Sequence, residues 1–185
     1  MSSLLIILTV LSSFLAKLET QPLRSTMTAT IDDPHASPVS YPGWIYMYGE
    51  KFRVGMYGIE AAYDGKTLYM YDAQVDELTL SIPKEEELVQ ANPFLFAKAL
   101  IPLCEVSEYT AKNGHTTVTL IPKDPSIGID RFSLTINSED LLPLKVRIKE
   151  GDKWTTLQLK KPMYGENNET YVLKGHENTY INDLR

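Results

Sequence analysis

Side chains that could perform catalysis are few in this sequence and lie far apart. Its three histidines, His35, His115 and His176, stand in separate segments, and its single cysteine is Cys104. Catalytic thiols and zinc sites need such groups close together, and the chain contains neither a Gly-x-Ser-x-Gly nor a His-Glu-x-x-His motif. We therefore expect a protein that is not an enzyme, with no catalytic residue, no metal and no other cofactor, and with a buried structural thiol at Cys104.

The acidic residues indicate neither a metal site nor a nucleic-acid surface. The pairs Asp32-Asp33 and Glu139-Asp140 stand in turn-like contexts, and the run 85–87 is three glutamates shortly after a proline. Acidic residues are common in turns and in the first turn of a helix, where they complement the helix dipole. The net charge is −6, so the chain lacks the basic excess of a phosphate-binding surface. We expect no nucleic-acid partner.

Most of the chain alternates apolar and polar residues with a period of two, which is the pattern of a half-buried β-strand. The alternation recurs about eight times, from Ile45 and Met47 to Leu157 and Leu159. Short turns such as Asn113-Gly114 separate neighbouring strands and favour hairpins. We predict a mainly β protein with helices, of the α+β class, whose antiparallel sheet curls strongly into an incomplete barrel. The 185 residues fit a single domain, 1–185.

Residues 1–20 permit two interpretations. The segment 4–15 is apolar like the core of a signal peptide, but no basic residue precedes it and residues 14–16 make a poor cleavage site. Alternatively, leucines at alternating steps of four and three form one face of an amphipathic helix that stops before Pro22. The leucines of that face are Leu4, Leu8, Leu11, Leu15 and Leu18. We favour the helix, and the apolar run is too short to span a bilayer.

A second helical segment interrupts the strands at residues 84–101. Asn92 and Pro93 are of the types preferred at an N-cap and at the first position of a helix. The helix that follows them is apolar on nearly every side. Its large apolar residues are Phe94, Leu95, Phe96, Leu100 and Ile101. The curled sheet could therefore have a core filled by these helices, or a cavity for a lipid tail with the helices as its lid.

An ordered set of motifs resembles the LolA family of lipoprotein carrier proteins, in particular its Bacteroides-group members. The set begins with the strand at 51–54 and the DGKTLYMY sequence at 64–71. It continues with the NPF sequence at 92–94, the NG turn at 113–114 and the PK pair at 122–123. The terminal INDLR sequence is similar to the ending of these proteins, and the N-terminal segment fits their first helix and strand. The resemblance covers nearly the whole chain.

The resemblance implies a function as well as a fold. The protein would be a monomeric periplasmic chaperone whose apolar interior holds the acyl chains of lipoproteins. It would receive them from an inner-membrane lipoprotein-releasing ABC transporter and pass them to an outer-membrane acceptor. The lid would be residues 84–101, with Phe94, Leu95, Phe96, Leu100 and Ile101 as its apolar side chains. The residues expected to line the cavity are Met47, Val54, Met56, Leu68, Met70, Leu80, Leu134, Val146 and Ile148.

One position departs from the family pattern. In the proteobacterial carriers an arginine bonds to the lid and keeps the empty form closed, and Tyr48 stands at the corresponding position here. A divergent relative that binds another lipid is therefore one alternative. The other is a sensor or adaptor that binds a polypeptide with the same half-barrel. For an adaptor, the expected feature is a filled barrel with an exposed aromatic edge through Trp44, Tyr46 and Tyr48.

Overall fold

The computed structural model describes the backbone of residues 3–185 and the side chains of residues 5–185. Its helices are α1 (Ser3–Thr20), α2 (Glu85–Ala91) and α3 (Pro93–Leu100), and 3-10 turns occupy Ile101–Leu103 and Pro125–Ile127. The strands are β1 (Leu23–Asp32), β2 (Val39–Tyr48), β3 (Lys51–Met56), β4 (Ile59–Tyr63), β5 (Leu68–Asp72), β6 (Glu77–Ser81), β7 (Cys104–Lys112), β8 (His115–Pro122), β9 (Arg131–Asn137), β10 (Pro143–Glu150), β11 (Lys153–Tyr164) and β12 (Tyr180–Asp183).

The twelve strands of this described part of the chain form one sheet. Their order is β12-β6-β5-β4-β3-β2-β1-β11-β10-β9-β8-β7. Neighbouring strands pair antiparallel, except that β12 runs parallel to β6. The outermost strands, β12 and β7, do not pair with each other, so the sheet stays open. The predicted fold class, a mainly β protein with an incomplete antiparallel barrel and helices, is confirmed.

The sheet is strongly curled. Five strands separate β5 from β10 in the sheet order, and with ~4.8 Å between neighbours a flat sheet would place these two strands about 29 Å apart. Instead, Met70 of β5 and Val146 of β10 line the same pocket. The right-handed twist of each strand accumulates across a long antiparallel sheet and bends it toward a barrel. The concave side holds the apolar core.

The helix α1 packs one face against this core. Its buried residues are Ile7, Leu11, Phe14 and Leu18. They recur at steps of four, three and four, as a helical contact face requires. Residues Ser3–Thr20 are helical, but the contact face predicted for the helix is wrong in part: Leu8 is 51% exposed, while the ring of Phe14 is fully buried. Residues 1–2 and the side chain of Leu4 lie outside the described residues.

A long segment without helix or strand covers part of the convex face. Residues 165–179, which we call the strap, connect β11 to β12 and must therefore pass the five strands that lie between β11 and β6. Tyr171 and Leu173 are its buried residues. Leu173 packs in a second apolar cluster with Ala62, Tyr69, Leu78 and Leu80. Within residues 3–185, no helix is long and apolar enough to cross a bilayer.

Candidate functional site

An apolar pocket of about 340 Å³ lies on the concave face. Strands β1, β3, β4, β5, β10 and β11 form its wall, and the junction between α2 and α3 forms its roof. The lining residues are Met27, Ala29, Val54, Met56, Ile59, Ala61, Met70, Gln90, Ala91, Pro93, Val146, Ile148, Thr155 and Leu157. The volume falls at the lower end of the ~300–1,000 Å³ range of small-molecule sites.

The chemistry of the lining is nearly uniform. Gln90 and Thr155 are its polar side chains, and none of its residues is charged. Met27, Met56 and Met70 contribute flexible, polarizable walls that adapt to the shape of a hydrocarbon. A charge placed in such a pocket would lose its hydration without gaining a partner. The pocket is therefore suited to a hydrocarbon chain and unsuited to an ion.

Five of the nine residues that the sequence assigned to a cavity meet at this pocket. They are Val54, Met56, Met70, Val146 and Ile148. Met70 is 36% exposed, so the pocket opens to solvent along β5. That these residues bind a ligand remains a prediction.

The other four residues lie elsewhere. Met47, Leu68 and Leu134 are buried in the main core, where helices and neighbouring strands cover them. Leu80 lies on the opposite side of the sheet, in the cluster beneath the strap. Its assignment to the cavity is a register error, because side chains alternate between the two faces and Leu80 is directly opposite Tyr69 rather than Met70.

Sequence reasoning also missed several lining residues. Met27 and Ala29 alternate along β1, a strand that the sequence predicts, but no face could be assigned to it. Ile59 and Ala61 belong to the IEAAY strand, in which two consecutive alanines obscure the alternation. The roof residues Gln90, Ala91 and Pro93 depend on how the helices dock, and a local pattern does not report that.

The predicted lid residues lie mostly in the core instead of the pocket. Phe94 and Leu100 are buried in the main cluster, and Leu95, Phe96 and Ile101 pack against it. The ring of Phe96 lies 6.3 Å from that of Phe132, measured between centroids. The helix α3 is therefore anchored by its apolar face, and it meets the pocket through its first residue, Pro93.

Asn92 joins α2 and α3. Its side-chain oxygen accepts hydrogen bonds from the backbone N–H groups of Phe94 (2.9 Å) and Leu95 (3.4 Å), which makes it the N-cap of α3. The side chain is fully buried, and its Nδ2 has no hydrogen-bond partner among the described residues. A buried amide group of this kind is costly to leave unpaired. Its position between Ala91 and Pro93, which both line the pocket, places it directly behind the roof.

The helix α2 is held more weakly than α3. None of its residues is buried, and its first turn carries Glu85, Glu86 and Glu87. The ion pair from Lys98 of α3 to Glu19 of α1 has a length of 2.7 Å, but both side chains are about half exposed. Exposed pairs contribute only ~0–1 kcal/mol. Leu88 and Ala91 of α2 are only partly buried against the main core, so α2 has a smaller buried contact than α3.

Tyr48 and Arg53 both lie at the paired strands β2 and β3. Tyr48 ends β2 and is 38% exposed. Arg53 forms an ion pair with Glu60, its diagonal neighbour on β4, and its guanidinium lies 5.5 Å from the Trp44 ring. These contacts hold Arg53 on the convex face, away from α2 and α3.

Cys104 is buried and unpaired within the described residues. Burial raises the pKa of its thiol above the ordinary value, with a weaker opposing effect from Lys123. A raised pKa keeps the thiol protonated and unreactive at neutral pH. These properties suit a structural thiol. Residues 3–185 hold no group of three or more side chains that could bind a metal ion.

The fold is similar to those of several solved structures. An uncharacterized conserved protein from Thermus thermophilus aligns with a TM-score of 0.65 at 12% identity, over 96% of this chain and 99% of that chain. A LolA superfamily protein from Nitrosomonas europaea has a TM-score of 0.40 at 10% identity, over 84% and 93% of the two chains. A DUF1329 family protein from Desulfovibrio piger has a TM-score of 0.47 at 8% identity, over 91% and 96%.

These likenesses concern the fold alone, because the identities are low. The Thermus thermophilus protein, with its TM-score of 0.65, supports a shared overall fold. Comparisons with protein-family models and with curated proteins each found no match.

Proposed function

We propose that this protein binds the acyl chain of a lipid or lipoprotein in its concave pocket and carries it between membranes. The observation that carries the proposal is an open pocket of about 340 Å³ without a charged lining residue. Each buried methylene contributes ~0.8 kcal/mol, so a chain of about ten carbons is bound firmly yet reversibly. No covalent step is needed, and the protein acts as a chaperone for apolar cargo, not as an enzyme.

The cellular setting of the proposal comes from the sequence resemblance. In that setting the protein works in the periplasm and receives lipoproteins from an inner-membrane ABC transporter. It delivers them to an outer-membrane acceptor that binds the chain slightly more tightly. The weak attachment of α2 supports such a cycle, since the roof must open twice, once for loading and once for release.

An adaptor that binds polypeptides is less well supported. Its expected feature was an exposed aromatic edge, but Trp44 lies against Gly55 beneath Arg53, and Tyr46 packs on Trp44 with 5.1 Å between ring centroids. Tyr48 is the only one of the three that is exposed. The barrel is also not completely filled, since the pocket occupies part of its concave side.

Displacement of an uncharged fluorescent probe, a labelled monoacylglycerol, tests the proposal, together with native mass spectrometry of protein purified from a membrane-containing lysate. Met70→Glu places a charge at the partly exposed wall of the pocket and is expected to lower probe affinity at least tenfold. Met163→Glu is the matched control, because Met163 is 43% exposed and lies outside the pocket. Wild-type protein without bound lipid and without probe binding would reject the proposal, as would equal losses in the two variants.

A further inference from the structure

Beside the pocket, the concave face changes from apolar to acidic. Along β5 the side chains of Met70 and Asp72 point to the same face, because they are two residues apart. On β6, Thr79 is directly opposite Met70, and Glu77 is directly opposite Asp72. A second cavity of about 270 Å³ includes all four residues and shares Ile59 and Met70 with the apolar pocket. A chain that leaves the pocket past Met70 therefore meets two carboxylates.

These carboxylates are not neutralised by a cation among the described residues. Asp72 accepts a hydrogen bond from the backbone N–H of Gln74, and Glu77 accepts from Thr79 and Asn182. Like charges at directly opposite positions of paired strands destabilise a sheet. At the start of β11, outside the residues that line the pocket, Lys153 is paired with Glu150 at 3.5 Å. The rim of the pocket along β5 is therefore negatively charged.

The volume of the pocket limits the length of chain that it holds. A cavity of ~150 Å³ binds benzene, which has six heavy atoms, so a pocket of about 340 Å³ holds on the order of eleven to fourteen heavy atoms. Two or three chains do not fit without a larger opening of the roof.

From these observations we infer that the pocket takes one acyl chain of about ten to twelve carbons whose head group is not anionic. The chain lies among Met27, Met56 and Met70, and its head emerges beside Asp72 and Glu77. Those two side chains determine specificity by repelling a carboxylate or phosphate, while an ester- or amide-linked chain is accepted. This inference rests on the proposed function and adds a length limit and a charge preference to it.

Calorimetry with two series of ligands tests the inference. The neutral series is 1-monoacylglycerols and the anionic series is free fatty acids, each with eight to fourteen carbons and below its micelle concentration. We expect affinity in the neutral series to rise about fourfold per methylene and to level off near eleven carbons. The fatty acid of equal length should bind about tenfold more weakly at low salt, and added salt should narrow the difference.

The double variant D72N/E77Q should reduce the difference in affinity between the monoacylglycerol and the fatty acid of equal length at low salt. The matched control is E105Q/E139Q, which removes two exposed carboxylates elsewhere on the chain and should leave the difference unchanged. Equal or tighter binding of the fatty acids to wild-type protein would overturn the inference but leave lipid binding intact. If the double variant does not fold, the salt dependence of the wild-type protein decides the same question. No binding in either series would reject the proposed function itself, and the inference with it.

Discussion

At the scale of single residues, Asn92 has a demanding position between α2 and α3. Its oxygen satisfies two backbone N–H groups at the start of α3, while its buried Nδ2 has no partner among the described residues. The residue thus stabilises the helix through one atom and carries an energetic cost at another.

We expect Asn92→Ala to lower the free energy of unfolding by about 1–2 kcal/mol, because the N-cap is lost. Asn92→Ser is the control, since serine is nearly the same size as alanine but keeps an oxygen for the cap. It should cost clearly less than alanine. Urea denaturation measures both variants, and equal losses would show that capping is not what Asn92 contributes.

Gly55 shows a second residue-scale constraint, on the convex face. A Cβ at this position would lie 2.5 Å from Cε2 of Trp44, so alanine must displace the indole. We expect Gly55→Ala to cost about 1–3 kcal/mol and to shift the tryptophan fluorescence. Gly165→Ala is the matched control, because no atom lies within 4 Å of its Cβ position. An unchanged emission spectrum in Gly55→Ala would contradict the packing described here.

At the scale of elements, the sequence predicts where the strands lie better than it predicts which of their side chains are buried and what covers them. Alternation and turn residues identify most strands, because local sterics and half-burial control both. Which side chains of a strand point to the concave face is harder to predict, because a shift of one residue in register inverts the assignment. Leu80 is an example. The helix α1 was predicted from its leucines, but Phe14 supplies its most buried contact. The strap has no periodic pattern and could not be predicted from the sequence.

The anchoring of α1 can be tested at its central contact. Phe14→Ala removes a fully buried ring and should lower the free energy of unfolding by about 3–5 kcal/mol. Leu8→Ala lies on the exposed side of the same helix and should change stability by less than about 0.5 kcal/mol. Thermal and urea unfolding measure both variants. A large loss in Leu8→Ala with a small one in Phe14→Ala would support the leucine face predicted from the sequence.

At the scale of the whole molecule, the concave and convex faces have separate coverings. The helices cover the concave core, and the strap covers part of the convex face through Tyr171 and Leu173. The hydroxyl of Tyr171 donates to Asn167 at 2.7 Å. Burial, with a further contribution from Glu169, raises the pKa of Tyr171 to about 12 from an ordinary value of 10.0.

This pKa shift predicts that the strap loosens in alkali. The folded state holds the phenolic proton more tightly, so the contribution of Tyr171 to stability is complete below pH 10 and decreases as the pH rises from 10.0 toward about 12. Proteolysis within residues 165–179 should therefore accelerate over this interval. Tyr171→Phe has no proton to lose and should accelerate less. Identical pH profiles for the two proteins would contradict the prediction.

The position of a bound chain tests the account most directly, and the methionines report it. Met27, Met56 and Met70 line the pocket, whereas Met47 is in the core and Met163 is on the far side of β11. In protein with ¹³C-labelled methionine methyl groups, titration with a monoacylglycerol of twelve carbons should shift the three pocket signals and give them nuclear Overhauser contacts to the chain. The Met163 signal should not move. Saturation binding that leaves the three pocket methyl groups unchanged would contradict the account.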